Sequence, residues 1–374
     1  MENSLSQPAT GQSAARHPRD KKVARWLLIG VGMIIIQVLL GGITRLTGSG
    51  LSITEWKPIL GTIPPMNEGE WNEAFKKYKE IAQYKYLNFY FTLEDFKAIY
   101  FWEWLHRLWA RLIGIVFIVP FIVFIMRKQF RREMINPLLI LFFLGALQGL
   151  VGWIMVQSGL EDSELVYVSH YKLAIHFILA LAVLCYTFWF ALRLLVPGEQ
   201  LFIHSSLKKL TGWIIGLLGI QLIYGAFMAG LKAAPVAPTW PDINGSWIPV
   251  TFTSFGNKTF TGLSFLVDNP LAVQFIHRNL AYIILIAGII WFGKAARIEG
   301  SPYFNRTRWI FPSLITLQVI LGILAVLNVT DQNAFLWLGV AHQFIAMMIL
   351  LSLVWNLYLL KERSAMSNKS YTSN

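Results

Sequence analysis

Four histidines lie in segments apolar enough to cross a lipid bilayer: His106, His176, His277 and His342. Polar and ionisable groups are costly there and often mark a functional site. Neutral imidazole binds iron well and is a recurrent axial ligand of heme. A single histidine in a spanning helix usually bonds a neighbouring helix, but four in comparable positions favour a cofactor site. Two facing histidines in each half would suit one porphyrin per half.

One acidic residue distinguishes two of these segments. Glu103 precedes His106 by three residues and therefore shares its helix face, whereas Gln274 holds the position before His277. A heme that only passes electrons needs no carboxylate, but proton abstraction or stabilisation of a developing cation does. The sequence therefore favours a catalytic Glu103. The alternative is a helix-stabilising ion pair with Arg107.

The elements that position these residues follow from composition. Of 374 residues, 55% are hydrophobic and only 14% are charged, which indicates an integral membrane protein. A helix needs about 20 apolar residues to cross the hydrocarbon core. The sequence predicts an all-α fold with eight transmembrane helices, at about 24–44, 98–126, 135–157, 168–195, 209–230, 269–294, 307–328 and 334–360.

The net charge of +12 reflects topology and not a nucleic-acid partner. Lys and Arg cluster before the first segment, in every second connection and after the eighth, whereas 158–167 and 329–333 contain none. This asymmetry predicts that both termini are cytoplasmic. The predicted location is the bacterial inner membrane, with the mitochondrial inner membrane as the alternative. Residues 1–23 and 363–374 are predicted to be cytoplasmic tails, the first disordered.

The chain also repeats itself. The odd-numbered segments share a Gln-x-x-x-Gly pattern, and the long outer loops share a pattern that begins at Trp56 and at Trp240. The repeats predict two tandem four-helix bundles, 24–200 and 201–362, related by pseudo-two-fold symmetry. The glycines would let helices approach a flat macrocycle, although small residues can serve helix packing alone. The four pairs are Gln37 with Gly41, Gln148 with Gly152, Gln221 with Gly225, and Gln318 with Gly322.

Zinc is the rival metal. A structural zinc site needs four nitrogen or sulfur ligands at one point, and histidines split between two bundles do not supply it. The only cysteine, Cys185, lies within the fourth segment, so no internal disulfide can form. His170 is expected to be interfacial, with a secondary or exchange ligand as the alternative.

Several of these motifs together resemble those of heme A synthase over most of the chain. The resemblance implies eight helices and oxidation of the C8 methyl group of heme O to the formyl group of heme A, for cytochrome oxidase assembly. It also implies substrate heme at His106 and His176, and a heme b cofactor with His277 and His342 as axial ligands. The motifs are Gly41-Gly-Ile-Thr-Arg-Leu-Thr-Gly-Ser-Gly-Leu-Ser52, Glu103-Trp-Leu-His106-Arg107, His176, Gln274-Phe-Ile-His277-Arg278 and Val340-Ala-His342-Gln343.

The partners implied are heme O, a heme O synthase and an electron donor, and a homo-oligomer is left open. Some members of this family carry a cysteine pair in an outer loop, which this chain lacks, so electrons must take another route. Arg45 begins the first long outer loop, about 45–97, which is expected to fold over the site. It is a candidate contact for a heme propionate. The rival functions are a diheme b-type membrane cytochrome for electron transfer and a heme carrier without chemistry.

Overall fold

A computed structural model describes residues 18–55, 60–161, 166–249 and 251–361. Trp56, residues 1–17 of the predicted tail at 1–23, and the predicted tail at 363–374 lie outside these residues. The rest of the first tail, residues 18–23, is helical and not disordered as predicted. A short hairpin, β1 (Ser254–Phe255) with β2 (Lys258–Thr259), accompanies the helices. The helices are α1 Pro18–Leu46, α2 Glu68–Tyr78, α3 Ala82–Tyr86, α4 Leu93–Met126, α5 Arg132–Leu160, α6 His170–Leu195, α7 Ser205–Gly230, α8 Phe265–Asp268, α9 Pro270–Ala296, α10 Pro302–Thr307, α11 Ile310–Leu327 and α12 Gln332–Leu359.

Eight helices of the described chain are long and apolar enough to cross a membrane, which confirms the predicted all-α fold and its eight spans. They are α1, α4, α5, α6, α7, α9, the joined α10 and α11, and α12. The boundary that differs most is the start of α1, at Pro18 and not near 24, followed by that of α4, which begins at Leu93 and not near 98. Thr92 and Asp95 form a capping box that starts the helix early, above the apolar segment.

The first and last spans of each predicted half meet at the centre of the bundle. α1 packs against α6 and α12, and α7 packs against the same two helices. Leu184, Ile214 and Met347 are fully buried in the core that these helices share. The histidine-bearing α6 and α12 are therefore central, while α4 and α9 lie outside them. The pseudo-two-fold relation and the division at residue 200 remain predictions.

The peripheral helices are packed differently in the two halves. α9 packs against both α7 and α11. α4 packs against α1, and α5 against α6, but α4 and α5 have no extended interface with each other. The first half is therefore less tightly closed than the second.

The connection between α1 and α4 forms a small aromatic unit at the end of the bundle that carries the long loops, here called the loop end. Phe75 stacks on Phe96 with ring centroids 5.1 Å apart. The Tyr78 hydroxyl donates to Gln83 at 3.0 Å, and burial raises the pKa of Tyr78 to about 12. Gln83 in turn donates to the Gly48 carbonyl and lines the central cavity. The loop thus folds over the site, as expected.

Candidate functional site

Each of the four predicted histidines contacts the glutamine of the preceding spanning helix. The glutamines are those of the Gln-x-x-x-Gly pattern, so the repeat has a direct structural role. In every pair the amide nitrogen lies within hydrogen-bond distance of a ring nitrogen. The closest distances are 3.2 Å for Gln37 and His106, 3.2 Å for Gln148 and His176, 3.3 Å for Gln221 and His277, and 3.0 Å for Gln318 and His342.

The glycine of each pattern lies against the same imidazole ring. A side chain here would displace the ring in at least three of the four cases, so glycine permits the close approach of helix to histidine. The sequence predicted that these glycines let helices approach a macrocycle. In the structure their nearest neighbours are the histidine rings. The distances from a β-carbon built on each glycine to Cε1 of the histidine ring are 3.1 Å for Gly41 and His106, 2.7 Å for Gly152 and His176, 3.5 Å for Gly225 and His277, and 3.0 Å for Gly322 and His342.

The two histidines of the second half face each other. The ring centroids of His277 and His342 lie 6.4 Å apart, and the ring planes are inclined by 62°. Within the described residues, Nδ1 of each ring is buried and has no hydrogen-bond partner. No comparable ring contact joins His106 and His176 in that same part of the chain, so the first pair is more loosely arranged.

All four histidines line one continuous cavity of about 910 Å³. Pockets for small molecules typically measure about 300–1,000 Å³, so this volume lies at the upper end of the range. Glu103 and Arg45 also line it, near the loop end. The two predicted heme sites are therefore neighbouring parts of a single space and not separate pockets.

Glu103 is 2% exposed and is held by three donors. Arg107 Nη2 donates to Oε1 at 2.5 Å, while the Ser52 hydroxyl and the Ile53 backbone N–H donate to Oε2 at 2.7 and 2.9 Å. Arg107 also donates to the Ile53 carbonyl at 3.0 Å. The predicted alternative, an ion pair with Arg107, is thus present, and the carboxylate also fastens the first outer loop to α4.

Gln274 occupies the corresponding place in the second half and fastens a different loop. Its amide nitrogen donates to the carbonyls of Ala237 at 3.0 Å and Ala234 at 3.3 Å. Arg278 donates to the Ala237 carbonyl at 2.7 Å and to the Asp242 carbonyl at 2.9 Å. Both positions therefore join a loop to a histidine-bearing helix, but with opposite hydrogen-bonding polarity.

Two further predicted residues bridge the halves. Arg45 on α1 donates from Nη2 to the carbonyl of Gly230, the last residue of α7, at 2.8 Å, and its guanidinium lies 4.8 Å from the Tyr167 ring centre. Its Nε is buried without a partner in the part of the chain that is described. His170 Nε2 lies 3.2 Å from an Asp268 oxygen. The interfacial role predicted for His170 therefore acquires a defined acidic neighbour.

The histidines occur as pairs. Among the described residues, no three His, Cys, Asp or Glu side chains converge as a metal site would require. Cys185 is a free thiol of intermediate burial. Of these histidines, at most two can therefore bind the same metal ion. Two is the number of axial ligands that a heme iron takes.

Sequence reasoning missed three features of the site. It recognised the repeated glutamines but not that each of them contacts a histidine. The signal that could have shown this is the constant spacing between each glutamine and its glycine, which places both on one helix face. It missed Ser52 and Ile53, since they lie 50 or more residues from Glu103 and show no periodic relation to it. It also missed Asp268 as the neighbour of His170, because no pattern links them.

Comparisons with known proteins agree with this geometry. The profile of the family described as cytochrome oxidase assembly protein matches residues 24–354. A protein of Rhodospirillum centenum named heme A synthase is 41% identical over 96% of this chain and 93% of its own length. Proteins of the same name from Bradyrhizobium diazoefficiens and Flavobacterium psychrophilum are 40% and 37% identical, over 88% and 91% of this chain and 89% and 98% of their own lengths.

Proposed function

The chain belongs to the family of cytochrome oxidase assembly proteins, and from this premise we propose how its two halves divide the work of a heme A synthase. The chain is a membrane oxidoreductase that converts heme O into heme A. In our proposal, residues 24–200 bind heme O and carry out its oxidation. Residues 201–362 bind a heme b that remains in place as the cofactor.

The separation of His277 and His342 supports the cofactor assignment. Two metal–imidazole bonds of about 2 Å each, with about 1 Å from each nitrogen to its ring centre, place the ring centres about 6 Å apart. The observed 6.4 Å fits this geometry without movement of either helix. Each ring also has a buried nitrogen without a partner among the described residues. These residues therefore fit a bis-histidine heme.

A heme b in this position would supply one-electron redox chemistry. The chain contributes orientation. Gln221 and Gln318 contact the ring nitrogens of the two ligands, and outer partners of this kind fix the tautomer and orientation of a ligating histidine. The buried, apolar core of α7 and α12 excludes water from the same region.

His106 and His176 are proposed to hold heme O, because they line the same cavity next to the cofactor half. Loss of a hydride equivalent from the substrate methyl group, one proton and two electrons that pass to an electron acceptor, would develop positive charge at that carbon. A fixed carboxylate nearby stabilises such a charge, and it does so best where water is excluded. Glu103 is the carboxylate proposed for this role, with Arg107 and Ser52 setting its orientation.

Arg45 is proposed to bind a propionate of one of the hemes. One of its nitrogens is engaged by the Gly230 carbonyl, but its buried Nε has no partner among the described residues. An arginine presents five donors in a planar fork that matches a carboxylate. Its place at the cavity wall near the loop end suits the polar edge of a porphyrin.

The remaining assignments follow from charge and chemistry. The eight spans make this a multi-pass membrane protein. We place it in the bacterial inner membrane with both termini cytoplasmic, because Lys and Arg are concentrated in the connections on that side. A heme O synthase and an electron donor are the proposed partners.

One observation carries the proposal: two histidine pairs line one cavity, and among the described lining residues the one carboxylate, Glu103, stands beside the first pair. Pigment extraction from protein purified out of cells that make heme O tests it. A synthase yields heme A, with heme b retained at the second pair. A diheme electron-transfer cytochrome or a carrier would yield no heme A, and that result would refute the proposal.

A further inference from the structure

The central cavity opens sideways in the first half of the molecule. Several of its lining residues are also exposed on the outer surface of the bundle. A residue that lines a cavity and is exposed on the surface marks the place where the cavity meets its surroundings. These rim residues are Ala110 and Ile118 on α4, and Phe142, Gly145, Ala146, Gly149 and Trp153 on α5.

In the second half, two of the described cavity-lining residues are exposed, Trp240 and Tyr282, and a hydrogen bond of 3.0 Å joins their side chains. The cavity-lining residues of α9 and α11 are buried or half-buried, with Tyr282 as the exposed exception. Direct packing of α9 against α11 closes the wall there, whereas α4 and α5 lack such an interface. The asymmetry therefore has a structural cause in helix packing.

The rim is shaped to leave room. A β-carbon placed on Gly145 or Gly149 would meet no atom within 4 Å, so open space lies in front of both residues. The opening extends from Ala110 to Ile118 along α4, about 12 Å at 1.5 Å per residue. The seven rim residues carry no charge, so the passage faces the hydrocarbon region and not water.

We propose that the gap between α4 and α5 is a lateral portal through which heme O passes from the lipid bilayer to His106 and His176. This inference rests on the proposed function. Heme O bears a long hydrocarbon side chain, which would be costly to expose to water on a route through the loop end. An apolar side opening lets that chain stay in lipid, or in the gap, while the porphyrin enters.

The position of charge in the cavity bears on this orientation. Arg45, Glu103 and Arg107 line it near the loop end, and Arg111 lines it one turn further along α4. The rim residues themselves are apolar. The propionates of an entering heme would therefore point towards the loop end, with the hydrocarbon chain left between α4 and α5. The resident heme needs no such route, which agrees with the closed wall between α9 and α11.

A reversible plug tests the portal. Gly149→Cys is introduced into a Cys185→Ala chain, reconstituted in lipid vesicles that contain heme O, and modified with a bulky aromatic disulfide reagent. The adduct should slow heme O uptake and heme A formation by roughly tenfold or more, and reduction with dithiothreitol should restore both. The heme b spectrum should not change.

Gly216→Cys provides the matched control. Gly216 is also an exposed helical glycine with open space around it, but it does not line the cavity. The same adduct there should leave uptake unchanged. If the Gly149 adduct also leaves uptake unchanged, the portal is wrong.

A graded series, Gly149→Ala, Gly149→Val and Gly149→Phe, covers the case in which reduction fails to restore activity. Uptake should fall with side-chain size, and size-independent uptake would overturn the portal. Failure of the proposed function gives a different result, since the unaltered chain would then make no heme A in the same vesicles.

Discussion

The two halves of this protein use the same histidine pairing in differently closed surroundings. In the second half α9 packs on α11, and the His277 and His342 rings lie 6.4 Å apart. In the first half α4 and α5 share little contact beyond Phe117 and Phe142, whose ring centroids are 6.4 Å apart, and cavity-lining glycines reach the surface. A resident cofactor benefits from a closed, preorganised site, whereas a substrate needs a way in and a way out. The difference in packing thus agrees with the two roles proposed for the halves.

The second difference lies at one position near the loop end. Glu103 accepts hydrogen bonds from Arg107, Ser52 and the Ile53 N–H, whereas Gln274 donates to backbone carbonyls. Both residues fasten a loop to a helix, so a structural role is common to the two halves. Only the negative charge of Glu103 is particular to the first half. Variants must therefore separate the effect of this charge from the effect of holding the loop against the helix.

Loss of a cofactor ligand should have the largest effect. His342→Ala deletes one of the two facing imidazoles, so the bis-histidine low-spin heme b spectrum should be lost from the purified protein. The control, His106→Ala, should keep that spectrum because it changes only the substrate pair. A full low-spin spectrum in His342→Ala would show that the comparison assigns the cofactor to the wrong half.

The substitution Glu103→Gln should have the second largest effect. It removes the charge at nearly constant volume, and heme A formation should fall by about 10²–10³-fold, the usual cost of removing one electrostatic stabiliser of a transition state. Heme O or a partly oxidised product should accumulate in extracted pigment.

Ser52→Ala is the control for loop fastening, since it removes one donor to Glu103 and leaves the charge in place. It should keep most of the activity. If Ser52→Ala loses as much activity as Glu103→Gln, the role of Glu103 is to hold the loop.

Added bulk at the glycines should have an intermediate effect that depends on position. Gly152→Ala places a β-carbon 2.7 Å from the His176 ring, and overpacking of this kind costs about 1–3 kcal/mol. Substrate heme affinity should fall roughly tenfold or more. Gly225→Ala meets His277 at an ordinary 3.5 Å and should bind heme b normally. Equal effects at both sites, measured by heme titration, would contradict the close packing described for His176.

Glutamine substitution should have the smallest effect. Gln318→Leu removes a hydrogen-bond partner of His342 worth about 1 kcal/mol. The midpoint potential of heme b should shift by tens of millivolts, while heme content stays the same. Gln148→Leu, in the substrate half, should leave that potential unchanged. Identical potentials in the two variants, read by redox titration, would remove Gln318 from the ligand environment.

The sequence predicted the spans well because they depend on local properties, while the ligand role of the histidine set stays a prediction. Hydropathy marks each apolar segment, and a polar residue within one stands out. The sequence could not predict that Ser52 meets Glu103, since that contact depends on how the outer loop folds back. It also could not predict the gap between α4 and α5, because both helices are uniformly apolar whether or not they touch. The residues of the capping box at Thr92 stand in the sequence, but the apolar segment begins later, near residue 98, and that set the predicted start of the helix.

The shared core of α1, α6, α7 and α12 has a consequence for assembly. A single four-helix unit would expose the face that Leu184 contributes in one half and Ile214 in the other. Each predicted half therefore relies on the other to bury an apolar face. On this basis, residues 1–200 and 201–374 expressed as separate chains should still assemble with each other.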